Sequence, residues 1–196
     1  VATPPSPVAA APIAPNPART PSELLSCLAS RSKPDWASKF RPPNPTATSS
    51  RAQNAILLGS IFTDGHLAAL AEDPQQSKNL TRDIVSLAKP LGVPTEVLDH
   101  SKSLSDCAER KDWAALRTEL ETTFSDLQTS LQKHEDHDLV TLVHLGAWIR
   151  STELVASLIA NKYTEPTAVV LRQPVLTQFL HAVSYTHPDA ADDTPC

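Results

Sequence analysis

From about residue 22 to residue 183, apolar residues recur with a period near 3.6, and the strict alternation of a half-buried strand appears nowhere, so the pattern predicts helices. Ser22 comes after Pro21 as an N-cap, and Leu24, Leu25 and Leu28 supply a short apolar face for a first helix over about Glu23 to Ser30. Trp36 and Phe40 read as anchors laying the next segment on the main body. The stretch Arg41-Pro-Pro-Asn-Pro45 then interrupts, and a Ser/Thr run caps a long helix that begins near Ser49 and ends at Glu72. Within that helix Ala52, Ala55, Ile56, Gly59 and Phe62 form one stripe, which Leu57, Leu58 and Ile61 widen, so it is expected to be buried on more than one side. Asp73-Pro74 reads as cap and first residue of a helix carried by Leu80, Ile84, Leu87 and Leu91 and stopped by Gly92. Pro94 opens another, to about Arg110. Asp112 caps an amphipathic helix in which Trp113, Leu116, Leu120, Phe124, Leu127 and Leu131 recur at spacings of three and four. After His134-Glu-Asp-His-Asp138 comes Leu139 to Ala160, apolar nearly all round and therefore expected at the centre of the fold. Thr167 to Val183 is helical in pattern, with a break near Arg172 ahead of Pro174.

These elements predict an all-α fold: an irregular multi-helix bundle around a central helix, with an extended Pro-rich N-terminal arm and an irregular C-terminal tail. The expected organisation is an arm over 1–21, a short helix and Pro-rich connector over 22–48, a helical bundle over 49–185 and a tail over 186–196. Composition supports the class, because 18 Pro against 4 Gly suits helices bounded by Pro-containing loops and not a β-rich fold with Gly in its turns. The arm cannot fold on itself. Its prolines remove backbone donors and fix φ, leaving an extended, solvated segment suited to a tether or docking strap.

A net charge of −5, from 17 basic and 22 acidic residues, gives no electrostatic footprint for nucleic acid. No apolar run reaches the roughly 18 residues of a membrane span; Leu139 to Ala160 contains His144, Arg150 and Glu153. A chain that starts at Val1 and lacks Met reads as a processed mature form or a fragment, and a Pro/Ala lead suits the segment behind a removed secretory signal, so export to the periplasm or beyond is expected. Of three cysteines, Cys27 and Cys107 fall in predicted helices, either as separate thiols or as a disulfide suited to an oxidising compartment, and Cys196 ends the chain.

Candidate chemistry is sparse. Arg150 and Glu153 fall one helical turn apart in the helix expected to be most buried, where a charge must be paired, and Asp64 is placed to extend the pair. The cluster is either a structural ion pair that sets helix register or the polar floor of a ligand pocket. Asp64-Gly65 interrupts an apolar helix; Gly59 and Gly65 permit close approach of a neighbouring helix, with Gly146 as the mating groove. His134, His137 and His144 are the residues that could ligate a metal, but their spacing is not that of His-Glu-x-x-His, and a solvated turn explains them as well, so no metal is assigned. No nucleophile elbow, Gly-rich phosphate loop or haem attachment motif occurs, and no cofactor or catalytic residue is assigned. Asn79-Leu80-Thr81 matches a glycosylation sequon but falls on a predicted helix.

The succession Leu58-Gly59 with Thr63-Asp64-Gly65, Ala88-Lys89 with Leu91-Gly92-Val93, His100-Ser-Lys-Ser-Leu104, Asp112-Trp113-Ala114 and Leu145-Gly146, Trp148-Ile149-Arg150 resembles an uncharacterised bacterial all-helical protein family predicted to be exported. The resemblance spans about Arg51 to Gln173, leaving the arm and tail outside. It implies helices and a bacterial source and supplies no activity, so Arg51, Asp64, Arg150 and Glu153 rest on the physical argument alone. The leading expectation is a non-enzymatic, exported accessory or scaffold subunit that docks through its arm and helical surface on protein partners. Its assembly could include a membrane protein, although the chain itself does not span the membrane. The competing class is a helical binding protein for a small apolar or anionic ligand at the Arg150/Glu153/Asp64 cluster, which a pocket of several hundred Å³ there would favour. An enzyme ranks third and requires the histidines to converge with an acid in a cleft.

Overall fold

Thr20 Oγ1 accepts a hydrogen bond from the Glu23 N–H at 3.2 Å, and Glu23 Oε2 accepts one from the Thr20 N–H at 2.8 Å. This reciprocal capping box starts α1 (Pro21–Ala29), so Thr20 and not Ser22 is the cap, and Pro21 occupies the first turn, where its missing N–H costs nothing. The computed structural model describes residues 20–42 and 47–171; the arm before Thr20, the break expected near Arg172 and the tail from Thr186 lie outside them. A helix of this length is marginal in isolation. It is held by Leu24, Leu25 and Leu28, all fully buried, each contributing about 1.5–3 kcal/mol.

Side-chain caps start the next elements too. Ser50 caps α2 (Arg51–Leu70), Asp73 caps α3 (Pro74–Ala88) with Pro74 in its first turn, and Asp112 caps α6 (Trp113–Lys133). Between α3 and α6, a 3₁₀ turn over Lys89–Leu91 ends at Gly92, whose φ of 83° requires glycine. The single helix expected from Pro94 to Arg110 is two, α4 (Thr95–Leu98) and α5 (His100–Glu109). They meet at Asp99, where the Lys102 N–H reaches back only three residues to the Asp99 carbonyl. α7 (His137–Asn161) comes next, then α8 (Glu165–Ala168), capped by Thr164 and running into a 3₁₀ turn over Val169–Leu171. Scarcity of glycine shows in the turns: Glu72, Lys111 and Glu135 hold left-handed φ values of 55°, 55° and 60°, each immediately before the Asp that caps or precedes the next helix. The described residues belong to one compact unit and form an all-α multi-helix bundle; no strand occurs among them.

α2 and α7 form the principal seam. They run parallel, since Arg51 pairs with Asp136 near their N-terminal ends and Asp64 with Arg150 further along. Glycine sets their approach, as expected from Gly59 and Gly146. A Cβ on Gly59 would lie 1.9 Å from the Val143 carbonyl oxygen, and one on Gly146 2.0 Å from that of Ile56. At this separation Thr63 Oγ1 donates across the seam to the Ala147 carbonyl at 3.1 Å. α2 is the most enclosed helix, its residues from Leu58 to Ala69 all buried, because α1, α3, α6 and α7 surround it. α7, for which central burial was expected, leaves Leu145 41% and Ile149 49% exposed. Its apolar periphery has no helix against it on that side among the described residues.

The core divides in two. One cluster joins α2, α3, α5, α6 and the first half of α7; the other joins α1, Leu67, the second half of α7 and Val170. Phe40 packs against both, and Trp36 against the second, so both act as the anchors their sequence position suggested.

Candidate functional site

After α1 the chain makes a 3₁₀ turn over Ala37–Lys39 and lays residues 39–42 across α2. This brings the Lys39 carbonyl and the Arg41 side chain to the seam where Asp64 and Arg150 meet. Asp64 Oδ1 accepts from Arg150 Nε at 2.7 Å, and Oδ2 accepts from Arg41 through Nε at 3.1 Å and through Nη2. Arg41 Nη2 also donates to Ser60 Oγ at 2.8 Å. Arg150 Nη1 donates to Glu153 Oε2 at 2.8 Å and Nη2 to the Lys39 carbonyl at 3.0 Å, so every nitrogen of this buried guanidinium is engaged. Three of the four proposed cluster residues are therefore together, with Glu153 at the solvent-facing end, its side chain 60% exposed. The network fastens the connector, α2 and α7. A buried charge paired at every nitrogen and tied to three segments fixes their geometry. Arg51 lies elsewhere: it donates to Asp136 and to the Leu91 carbonyl, joining the starts of α2 and α7 to the turn after α3.

Beside the network, on the α3 side, a cleft of about 290 Å³ opens. The connector contributes Phe40, Arg41 and Pro42, α2 contributes Asp64, and α3 contributes Gln76, Asn79, Leu80, Arg82 and Asp83. Gln76, Asn79, Leu80 and Asp83 keep the i, i+3, i+4, i+7 spacing of one helix face. Asn79 is tied in place, its amide donating to Gln76 Oε1 at 3.1 Å and its Oδ1 accepting from Arg82 Nη2 at 2.7 Å and Gln75 Nε2 at 3.1 Å. Nη1 of Arg41, Nη1 of Arg82 and the amide nitrogen of Gln76 have no hydrogen-bond partner among the described residues. The Asp83 carboxylate, half-buried in the wall, accepts no hydrogen bond among them either. Burial pushes its carboxyl above the usual carboxylate range, opposed by the Arg82 charge.

No protein-family model, curated protein or solved structure matches this chain. Its chemistry therefore rests on what these side chains can do.

The remaining candidates are dispersed. His134 Nδ1 lies 2.8 Å from the Ser130 carbonyl, His137 is exposed at the start of α7, and His144 Nε2 lies 3.1 Å from Gln128 Oε1 with its ring edge-on to Phe124. Burial pushes the His144 imidazole below its usual range. Among the described residues no group of three or more His, Cys, Asp or Glu side chains converges as a metal requires. Cys27 and Cys107 are not bonded to one another: Cys107 is buried in the first core cluster, and Cys27 packs at the edge of the second. Asn79 and Thr81 of the sequon lie in the middle of α3, with Thr81 buried.

Sequence reasoning found Asp64 and missed Arg41, Gln76, Arg82 and Asp83. One signal was present in the polar residues at helical spacing on α3. The other was Arg41 itself, a charge set between Phe40 and Pro42 in a segment already read as anchored to the core.

Proposed function

We propose that this chain is a non-catalytic helical binding protein for a small polar ligand held in the cleft between the connector and α3. The observation that carries it is the cleft itself, with a half-buried carboxylate and guanidinium and amide donors that have no partner among the described residues. Unmatched polar groups in a concave wall are what a ligand completes. The site borders the Asp64 cluster proposed from sequence, although the groups open to a ligand belong to α3 and the connector. Nuclear magnetic resonance of the ¹⁵N-labelled chain, titrated with a library of small polar molecules, tests it. The expected result is a set of shifts confined to Phe40, Gln76, Asn79, Arg82 and Asp83. Absence of a response there to every chemical class sinks the reading.

A second reading keeps the accessory subunit, and the outward face of α7 favours it. Leu145 and Ile149 are exposed one turn apart beside half-buried Trp148, and no Asp, Glu, Lys or Arg occurs from Leu139 to Ile149. A helix apolar all round yet covered on one side has a face suited to a protein partner. Export, a bacterial source and a role in a membrane-associated assembly belong to this reading. No helix among the described residues is long and apolar enough to cross a membrane. Size-exclusion chromatography with mass spectrometry of the co-eluting material, on the wild type and the Leu145→Glu, Ile149→Glu double variant, decides it. A stoichiometric partner present only with the wild type supports docking through α7.

A further inference from the structure

We propose that the ligand of this cleft is a small zwitterion of amino-acid size, its cationic group paired with Asp83 and its anionic group with the unused donors of Arg82 and Arg41. The inference rests on the binding reading above and narrows it to a chemical class.

Four charged side chains line the cleft: Arg41 and Arg82 against Asp64 and Asp83. Asp64 is fully engaged by Arg41 and Arg150 and is closed to a ligand. What remains open among the described residues is of both signs: the Asp83 carboxylate, Nη1 of each arginine and the Gln76 amide, with Asp83, Arg82 and Gln76 carried by α3 and Arg41 by the connector. A simple anion entering here meets the arginines but also faces a half-buried, unpartnered carboxylate. A simple cation meets Asp83 but also faces two guanidinium groups. A molecule carrying both charges satisfies both, and each pair strengthens as water leaves the cleft. Burial already raises the Asp83 carboxyl, so this group gains more from a cation than a solvated carboxylate does. Size narrows the class further. About 290 Å³ sits at the lower end of ligand cavities, roughly 300–1,000 Å³, which suits an amino acid or small betaine and excludes a dinucleotide. Phe40 and Leu80 supply apolar wall for a short aliphatic segment between the two charges.

The test is isothermal titration calorimetry with a matched series: butylamine, butyrate, 2-aminobutyrate and 4-aminobutyrate, the last two differing in charge separation. The expected result is that at least one zwitterion binds at least tenfold more tightly than butylamine or butyrate. Asp83→Asn should then lower its affinity at least tenfold without weakening butyrate, and Arg82→Gln should weaken zwitterion and butyrate together. Asp83→Ser, with circular dichroism of each variant, guards against a folding defect. Butyrate or butylamine binding as tightly as both zwitterions overturns the zwitterion class and leaves the cleft in place. Zwitterions giving no heat while other polar molecules move the cleft resonances do the same. Silence of those resonances to every compound overturns the binding reading itself.

Discussion

Asp64 and Asp83 border the same cleft from different helices, and their surroundings are opposite. Asp64, 5% exposed, accepts from two arginines and links three segments. Asp83, half-buried, accepts from no described residue and has only the Arg82 charge to offset its desolvation. Both oxygens of the first carboxylate are paired within the protein, and neither oxygen of the second is paired among the described residues, which is why the ligand site is proposed at the second. Charge at a buried position is thus a poor guide to function by itself, because the deciding quantity is how many of its hydrogen-bonding sites the protein has already filled.

Truncating each carboxylate separates the two most clearly, and Asp64 has the greater consequence. Asp64→Ala strands Arg150 in the interior and is expected to cost about 3–5 kcal/mol in urea denaturation. A cost below about 1 kcal/mol would show the network to be dispensable.

Acid probes the closed region next. His66 is buried on α2, its Nδ1 has no hydrogen-bond partner among the described residues, and burial pushes its imidazole down to about 4, with the Arg117 charge adding to the effect and Glu121 opposing it. Between the unfolded value near 6.5 and about 4, the unfolded chain takes up a proton that the fold refuses. The contribution is therefore fully present above about pH 6.5 and lost as pH falls, to a total of about 3 kcal/mol. Denaturation from pH 7 to pH 4 should show this slope, and His66→Leu should flatten it, leaving the smaller effect of His144, shifted in the same direction.

Gly59→Ala is next in size, because its methyl meets the Val143 carbonyl. Forcing the seam apart is expected to cost about 1–3 kcal/mol by calorimetric melting. The seam and the cleft then separate cleanly if zwitterion binding, measured on the fraction still folded, is weakened less by Gly59→Ala than by Arg82→Gln. The mildest change belongs to Asp83→Asn, which should alter stability by less than about 0.5 kcal/mol, in the stabilising direction at neutral pH where the carboxylate is charged. A loss as large as that of Asp64→Ala would make Asp83 structural and erase the contrast.

Much of this architecture was legible in the order of residues. Asp73, Asp112 and Ser50 announce helix starts through side-chain capping, a local interaction a sequence carries in full. The spacing from Leu116 through Leu131 announces which face of α6 is buried. Even the Gly59–Gly146 approach and the Asp64–Arg150 pair could be anticipated, since a glycine or a charge in an apolar helix needs a neighbour to explain it. The α4–α5 break at Asp99 was not visible, because a hydrogen bond shortened by one residue leaves no mark on composition.

Local periodicity, capping and the cost of an unpaired buried charge were enough to establish the helical class, most helix boundaries and the need for Arg150 to be paired. Packing was required to enclose α2 in place of α7, to pair Arg51 with Asp136, and to close Asp64 with Arg41 while Asp83 stays open. Hydrophobicity says that a helix has surface to bury, but which partner covers it depends on contacts between segments distant in the chain. Whether a polar group is engaged or free to bind depends on the same long-range choice, and that is why the structural cluster was readable and the cleft beside it was not.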